Sequence, residues 1–198
     1  MKLKLDIGIN SVDLSEYYKY VDFNARTEIY FLKDAGIEHY KLLAYLSSQL
    51  PKGSEVSDLG TLEGMSALAF ASNKDVLVTT YDICECIPES VTLSIKNISN
   101  IRRVMADCKQ HIKNMINSKI ILLDIAPHDG GSERWIIEQL QKEDYRGLVV
   151  CDDIHLSNEM NSFWDDVTLK KLDATQCGHW SGTGIIIFNP NTLDISSD

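Results

Sequence analysis

The sequence predicts an α/β protein with a doubly wound, mostly parallel sheet of seven strands. From residue 55 onward, short runs rich in Val, Ile and Leu alternate with stretches of helical periodicity. Such runs are typical of strands that are buried on both faces. The chain has 198 residues, which is enough for one sheet covered by helices, and its four prolines form no linker that would divide it.

Each element of this prediction rests on its own segment. Strands are predicted at 55–59, 76–81, 101–105, 119–124, 147–152, 171–177 and 183–188. Helices are predicted between them at 64–73, 88–98, 108–117, 131–143 and 157–167. No crossover helix fits after Asp173, and the glycine-rich segment 178–184 predicts a turn. The last two strands are therefore expected to pair as an antiparallel hairpin at the sheet edge.

The first 50 residues are predicted to form a helical cap on a core of residues 51–198, within a single domain of residues 1–198. Two helices are expected in the cap, at 13–21 and 36–50. In the second, apolar residues recur with helical spacing at Ile37, Tyr40, Leu43, Ala44 and Leu46. Both helices precede the first strand of the core, so we expect them to cover one end of the sheet.

Composition narrows the classes of function. The net charge is −10 and the pI is about 4.9, so no nucleic-acid partner is expected, although Arg102, Arg103, Lys109 and Lys113 form a local basic group. No apolar run reaches the roughly 18 residues of a membrane span, and the segment 1–6 has no apolar secretory signal. The five cysteines form no CxxC motif. They are expected to be free thiols in a reducing, cytoplasmic environment.

The most informative segment joins the strand at 55–59 to the following helix. It reads Asp58-Leu-Gly60-Thr-Leu-Glu63-Gly64-Met-Ser66. The two glycines allow a tight turn close to a ligand, and the helix start presents N–H groups that favour a carboxylate. The segment is not GxGxxG, because Asp58 replaces the first glycine, and Asp58 and Glu63 would repel a pyrophosphate. A packing role for the glycines is the alternative.

Asp82 ends the second predicted strand of the core. An acidic residue at this point can accept hydrogen bonds from both ribose hydroxyls of a nucleoside. The alternative is a carboxylate that caps the turn after the strand.

These motifs, in this order, resemble class I S-adenosylmethionine-dependent methyltransferases over about residues 37–188. The resemblance is to the small-molecule O-methyltransferase branch, which includes catechol O-methyltransferase and cephalosporin-hydroxylase-like proteins. It implies a Rossmann-like methyltransferase fold with the N-terminal helices over the cofactor end. It further implies S-adenosylmethionine as cofactor and a hydroxyl of a small molecule, such as a sugar, as methyl acceptor. The cofactor-binding residues would be Asp58, Gly60, Gly64, Ser66, Asp82, Asp107, Cys108 and Asp124.

The resemblance assigns roles within that set. The two glycines would cradle the methionine end of the cofactor, Ser66 would bind its carboxylate, and Asp82 would hold the ribose. Asp107 would accept a hydrogen bond from the adenine amino group, and Cys108 would line the ring. An N-cap for the helix that begins at Cys108 is the alternative for Asp107, and both roles are compatible.

Two further predicted strands end in carboxylates, at Asp124 and at Asp152 and Asp153. Parallel strands place these ends at one sheet edge, where the carboxylates would repel one another without a cation. Oxygen ligands favour Mg²⁺, or else Ca²⁺ or Mn²⁺. The resemblance makes Asp124, Asp152 and Asp153 the metal ligands, although catechol-type enzymes have Asn at the third position. In the metal-free alternative, Asp124 holds the cofactor's ammonium group and the other two carboxylates cap a loop.

His128 and Asp124 are the predicted catalytic residues, with His128 as general base toward an acceptor hydroxyl. A surface-loop histidine is the alternative for His128. His155 is a second candidate, as a metal neighbour, a base or a plain loop residue. The pair His39-Tyr40 is expected either to wall the cofactor pocket or to pack in the core. The pair His179-Trp180 is expected either to line the acceptor pocket or to pack in a turn.

Three other functions fit the same pattern. The first is a metal-independent class I methyltransferase. The second is a nicotinamide-dependent oxidoreductase, which the missing first glycine of GxGxxG disfavours. The third is a non-catalytic binding module with the methyltransferase fold.

Overall fold

The computed structural model describes residues 2–20, 34–84, 96–189 and 194–197. Nine strands lie in these ranges: β1 (Lys2–Leu5), β2 (Glu55–Leu59), β3 (Leu77–Asp82), β4 (Ile101–Met105), β5 (Ile120–Leu123), β6 (Leu148–Asp152), β7 (Lys170–Asp173), β8 (Thr183–Ile187) and β9 (Asp194–Ser197). The α-helices described are α1 (Asp34–Ser48), α2 (Met65–Phe70), α3 (Ile112–Met115), α4 (Gly131–Lys142) and α5 (Asn158–Asp166). Short 3₁₀ helices occupy Ile7–Ser11, Ser15–Tyr20, Cys108–His111 and Thr175–Cys177.

Seven strands form one mixed sheet in the order β4-β3-β2-β5-β6-β8-β7. The first five are mutually parallel, and β8 is antiparallel to both β6 and β7. The predicted fold class is therefore confirmed, including the antiparallel pair. The chain runs outward from β2 to β4 and then returns to β5 on the other side of β2. This reversal places the carboxyl ends of β2 and β5 side by side, where open α/β sheets bind ligands.

The central strands are buried on both faces, as their apolar runs predict. Ile120 and Leu122 belong to one core with α1 and α2, whereas Ile121 and Leu123 belong to a second core with α4 and α5. Side chains of a strand alternate between faces, so a continuous apolar run requires helices on both sides. That is the doubly wound arrangement.

Only one of the two helices predicted in the N-terminal cap is an α-helix in the structure. The helix predicted at 36–50 is α1, and Ser47 near its end donates a hydrogen bond of 2.6 Å to the Phe70 carbonyl at the end of α2. The segment predicted as a helix at 13–21 is a 3₁₀ helix at Ser15–Tyr20. The helix predicted at 108–117 is divided into a 3₁₀ turn and α3. Most of the helix predicted at 88–98 lies outside the described residues.

A second, two-stranded sheet was not predicted. In it β1 pairs in parallel with β9. Leu3 and Leu5 of β1 are buried in the core, and the Gln49 side chain hydrogen-bonds the backbone N–H and carbonyl of Lys4 at 2.8 and 3.0 Å. A four-residue strand whose partner is at the other end of the chain leaves no local pattern to read.

The prediction that all cysteines are free is wrong. Cys108, Cys151 and Cys177 are free thiols, but Cys84 is disulfide-bonded. None of the helices in the described ranges combines the length and the apolar character needed to cross a membrane.

Candidate functional site

The glycine segment after β2 lies directly against the chain that leaves β5. Gly60 has a φ of +95°, and a Cβ on it would lie 1.7 Å from the Asp124 carbonyl oxygen. Only glycine allows both this φ and this approach. Gly64, with a φ of +82°, is the N-cap of α2. The two glycines thus bring the β2–α2 loop to the carboxyl end of β5 and turn it into the helix.

Asp58 supports this loop from beneath. It is completely buried, and Thr80 donates a hydrogen bond of 2.6 Å to its Oδ2 atom. Burial raises the pKa of the Asp58 carboxyl from 3.8 to about 6, although hydrogen bonds from Thr80 and Ser66 oppose the shift. Asp58 lines neither of the cavities described below. A contact between Asp58 and a cofactor therefore stays a prediction. The contact that is observed is the hydrogen bond from Thr80.

Asp82 ties the end of β3 to the same loop. Its two carboxylate oxygens accept hydrogen bonds from the backbone N–H groups of Leu62, at 2.8 Å, and Cys84, at 2.9 Å. The turn-capping alternative is therefore observed. The Asp82 side chain also faces a cavity, so the two predicted roles are compatible.

Two adjoining cavities open at the carboxyl edge of the sheet. The larger measures about 410 Å³, and its lining includes Asp82, Asp107, Cys108, Lys109 and Ser132. The smaller measures about 220 Å³, and its lining includes His39, Tyr40, Ser66, Asp152, Asp153 and His179. Four residues line both cavities: Gly60, Leu62, Asp124 and His128. The cavities are therefore two halves of one cleft that meet where the glycine segment touches β5.

The turn after β4 forms part of the lining of the larger cavity. Asp107 caps the 3₁₀ helix by accepting a hydrogen bond of 2.9 Å from the Lys109 N–H. Cys108 is buried, and burial raises the pKa of its thiol to about 11. Lys109 and Ser132, whose side chains hydrogen-bond at 3.0 Å, belong to the lining without having been predicted. Only the packing of α4 against this turn brings Ser132 there.

The predicted acidic cluster does assemble, but histidines separate its members. His128 Nε2 lies 3.9 Å from Asp124 Oδ1, and His128 Nδ1 lies 3.6 Å from Asp153 Oδ2. Burial, and then the nearby Asp152 and Asp153 carboxylates, raise the pKa of Asp124 well above its ordinary value. Burial also opposes ionisation of Asp153, but hydrogen bonds from His179 and Ser181 outweigh it and lower that pKa. The site is thus rich in negative charge that a cation would offset.

A second histidine group lies deeper in the smaller cavity. His179 Nδ1 is 3.5 Å from Asp153 Oδ1 and 3.9 Å from Asp152 Oδ1. On the other side of Asp152, the buried His39 places its Nδ1 atom 3.7 Å from the same Oδ1 atom. Among the described residues, neither His39 Nδ1 nor Asp152 Oδ1 has a hydrogen-bond partner. In two sets the possible ligand atoms all lie within 4.8 Å of one another: Asp124 with His128 and Asp153, and Asp152 with Asp153 and His179.

The other predicted candidates divide. His39 and Tyr40 both line the smaller cavity, and Tyr40 also packs against the core that contains α1 and α2, so both predicted roles occur. His179 lines it too, whereas the neighbouring Trp180 is 70% exposed and contacts the His179 ring, with 5.6 Å between the ring centroids. His155 lies outside both cavities and bonds Asn161 at 2.9 Å and Asp173 at 2.8 Å. It links α5 to β7, which corresponds to the plain loop role.

The comparisons with known proteins give different results for the sequence and for the fold. No protein-family model matches the sequence, and no curated protein is significantly similar to it. The fold, by contrast, is that of S-adenosylmethionine-dependent methyltransferases: a Rossmann-like, seven-stranded sheet with an antiparallel pair at one side.

Several solved structures share this fold. An SAH-bound methyltransferase from Podospora anserina has a TM-score of 0.64 at 13% identity, over 88% of this chain and 87% of that one. A Staphylococcus aureus protein described as a candidate caffeoyl-CoA O-methyltransferase has a TM-score of 0.53 at 16% identity, over 90% and 91%. Aeropyrum pernix fibrillarin with bound S-adenosyl-L-methionine has a TM-score of 0.52 at 13% identity, over 74% and 73%. At these identities the shared property is the fold.

Proposed function

We propose that this protein is an S-adenosylmethionine-dependent methyltransferase that methylates a hydroxyl group of a small molecule. The observation that carries the proposal is the shared lining of the two cavities by Asp124 and His128. A methyl donor that fills the larger cavity and an acceptor in the smaller one would meet at these two residues. The bound cofactor would supply an electrophilic sulfonium methyl group, which would pass to an oxygen nucleophile in line with the departing thioether sulfur.

The residues of the larger cavity fit an adenosine group. Asp82 lies at the end of the strand next to β2, where a carboxylate reaches a ribose, and Asp107 and Cys108 follow the next strand. Gly60 lines both cavities, and a Cβ on it would collide with the Asp124 carbonyl oxygen. Ser66, in the first turn of α2, lines the smaller cavity, so the methionine end of the donor would extend there from the larger one. Its carboxylate would lie at Ser66 and the N–H groups of the helix start.

His128 is the proposed general base. Its imidazole stands between Asp124 and Asp153, 3.9 and 3.6 Å from their oxygens, and both carboxylates stabilise the imidazolium that forms. It takes the proton of the acceptor hydroxyl while the oxygen–carbon bond forms and the carbon–sulfur bond breaks. The electron pair of that bond remains on sulfur. Positioning in a preorganised cleft supplies most of the remaining acceleration.

A divalent cation fits the same cleft. Asp124, Asp152 and Asp153 are close enough to repel one another, and Asp152 Oδ1 is buried without a hydrogen-bond partner among the described residues. These carboxylates would hold Mg²⁺ or a related ion, which would orient the acceptor oxygen and lower its pKa. Metal use is part of the proposal and is tested separately below.

The lining of the smaller cavity favours a neutral acceptor. No lysine or arginine occurs among the described residues that line it, whereas Glu63 and three aspartates do. A phosphate or carboxylate on the acceptor would meet this negative charge without a partner. Hydroxyl groups can donate hydrogen bonds to the carboxylates, which supports a polyhydroxylated small molecule, such as a sugar.

The first experiment is a calorimetric titration of the purified protein with S-adenosylhomocysteine. We expect micromolar binding that Asp82→Ala abolishes. The matched control is Asp75→Ala, because Asp75 lies just before the opposite end of β3, where it is exposed and pairs with Lys52 at 3.1 Å. Its affinity should equal that of the parent protein.

Labelled S-adenosylmethionine and a panel of neutral polyols and phenols then test turnover. We expect methyl transfer that His128→Gln lowers about 100-fold or more without changing S-adenosylhomocysteine binding. Absence of S-adenosylhomocysteine binding to the folded parent protein would overturn the proposal and return the nicotinamide and non-catalytic alternatives. Binding without turnover of any acceptor would favour the non-catalytic module.

A further inference from the structure

We infer that the smaller cavity binds a transition-metal ion of the Zn²⁺ or Co²⁺ type through His179, Asp152 and Asp153. This inference rests on the proposed function for its purpose, but its metal chemistry differs from that of an all-carboxylate magnesium site. It adds a nitrogen ligand that the sequence did not assign to metal. It replaces the all-carboxylate ligand set of the proposed function, so Asp124 and His128 become neighbours of the ion rather than its ligands.

The geometry of the three side chains supports the ion. The His179 Nδ1 atom lies 3.5 Å from Asp153 Oδ1, at the outer limit of a hydrogen bond, and 3.9 Å from Asp152 Oδ1, beyond that limit. Ligand atoms around a tetrahedral ion with bonds of about 2.1 Å are about 3.4 Å apart. The two separations from His179 are therefore near the edge lengths of a coordination shell, and all three ligand atoms lie within 4.8 Å of one another. A three-ligand site leaves a position for an acceptor oxygen, as catalytic zinc sites do.

The independent observation is a buried carboxylate oxygen of Asp152 that accepts no hydrogen bond from the described residues. The residue is 8% exposed, and its Oδ1 atom accepts no hydrogen bond from the described residues. A buried carboxylate oxygen without a partner is costly, since it has lost water and gained nothing in return. Two imidazoles and a second carboxylate lie near this oxygen. Together with Asp152 they would hold a bound cation as its partner.

The histidines decide the kind of metal. Mg²⁺ prefers an oxygen shell and keeps several waters, whereas imidazole nitrogen suits zinc, cobalt and nickel. His39 Nδ1, 3.7 Å from Asp152 Oδ1 and only 5% exposed as a residue, adds a second nitrogen beside the same oxygen. It lies outside the three-residue set whose ligand atoms are all mutually close. We therefore assign His39 to orienting Asp152.

Ser181 provides a way to distinguish a metal site from a hydrogen-bonded cluster. Its hydroxyl donates to Asp153 Oδ1 and also contacts His179 Nδ1. A metal that binds both groups competes with this hydroxyl. Ser181→Ala should therefore leave metal affinity unchanged or raise it, although it removes the hydroxyl's hydrogen bonds.

The test uses the full chain after chelation and dialysis. ZnCl₂, CoCl₂ and MgCl₂ are titrated separately by calorimetry, and the visible d–d absorption of bound Co²⁺ reports nitrogen ligation. We expect one Zn²⁺ or Co²⁺ per chain, bound at least about 100-fold more tightly than Mg²⁺. His179→Gln should weaken binding about 100-fold or more and change the Co²⁺ spectrum, while His39→Gln should weaken it about tenfold.

His155→Gln is the matched control, because His155 is paired with Asn161 and Asp173 outside the cavity. It should leave affinity and spectrum unchanged, and circular dichroism verifies that each variant is folded. Equal affinity for Mg²⁺, a Co²⁺ spectrum unaffected by His179→Gln, or a loss in Ser181→Ala as large as that in His179→Gln would overturn the inference.

The two proposals fail differently. Binding of S-adenosylhomocysteine without retention of Zn²⁺ or Co²⁺ overturns the metal inference and leaves the proposed methyltransferase. Metal retention that depends on His179, without S-adenosylhomocysteine binding, overturns the methyltransferase and leaves the metal site.

Discussion

At the scale of single residues, hydrogen bonding and burial have opposite effects on the carboxyl group of Asp58. Its carboxyl group anchors the hydrogen bond from Thr80 beneath the glycine loop, yet it is completely buried and has one oxygen without a hydrogen-bond partner among the described residues. Burial is the stronger effect, so the pKa rises from 3.8 to about 6. The folded protein therefore binds this proton more tightly than the unfolded chain does, and the contribution to stability is lost as pH rises.

Asp58→Asn should remove this pH dependence. Relative to the parent protein, the free energy of unfolding of the variant should rise by roughly 3 kcal/mol between about pH 4 and pH 6, and then level off. Urea unfolding at a series of pH values measures the difference. A difference that does not vary across this interval would contradict the assignment.

Asp129→Asn serves as the control of opposite sign. Asp129 is exposed, and hydrogen bonds from the N–H groups of Ser132 and Gly131 lower its pKa. Its ionised form therefore stabilises the folded protein, and this contribution is lost only as pH falls below about 4. The variant should lose stability relative to the parent protein as pH rises toward about 4. Between about pH 4 and pH 6, where Asp58→Asn gains stability, its difference from the parent protein should stay constant.

At the scale of elements, the turn after β4 combines a structural and a proposed binding role in Asp107. The side chain caps the 3₁₀ helix at Cys108–His111 and also lines the larger cavity. The sequence left both roles open, and the structure contains the cap. A variant that keeps the cap but removes the contact with adenine tests whether the same carboxylate also holds the adenine group.

Asp107→Ser is that variant, because serine caps a helix as well as aspartate but is too short to reach a base. Thermal unfolding should change little, whereas the affinity for S-adenosylhomocysteine should fall about tenfold by calorimetry. Asp107→Ala should lose the same affinity and, in addition, about 1 kcal/mol of stability. Full affinity in Asp107→Ser would limit Asp107 to capping.

The elements that were predicted well are those with a strong local pattern. Strand β2 at Glu55–Leu59 and strand β4 at Ile101–Met105 have the predicted bounds, and α4 ends one residue before its prediction. The helix predicted at 108–117 was divided because its first turn follows the Asp107 cap as a 3₁₀ turn. Helical periodicity cannot distinguish these two helix types over a single turn.

At the scale of the whole molecule, β1 and β9 join the two ends of the described chain. Leu3, which is fully buried, packs into the core that contains α1 and α2. Strand β1 therefore contributes side chains to that core, although it pairs with β9 outside the large sheet.

Leu3→Ala should lower the free energy of unfolding by about 2–5 kcal/mol, because it leaves a cavity in a packed core. Lys4→Ala is the neighbouring control. The Lys4 side chain is exposed and only its backbone bonds Gln49, so we expect a change within about 0.5 kcal/mol. Urea unfolding measures both variants. Equal effects would show that β1 does not contribute to the core.

The sequence by itself determined the fold class, the glycine segment and the carboxylates at the strand ends. Apolar runs, glycines and strand-end acids are local signals with a direct physical cause. The tertiary structure alone decided that Gly60 touches Asp124, that His39 and His179 face the same Asp152 oxygen, and that Asp58 lies beneath the loop instead of in the cleft. These contacts join residues far apart in the chain, and their distances depend on how helices and loops pack around the sheet, which no local pattern encodes.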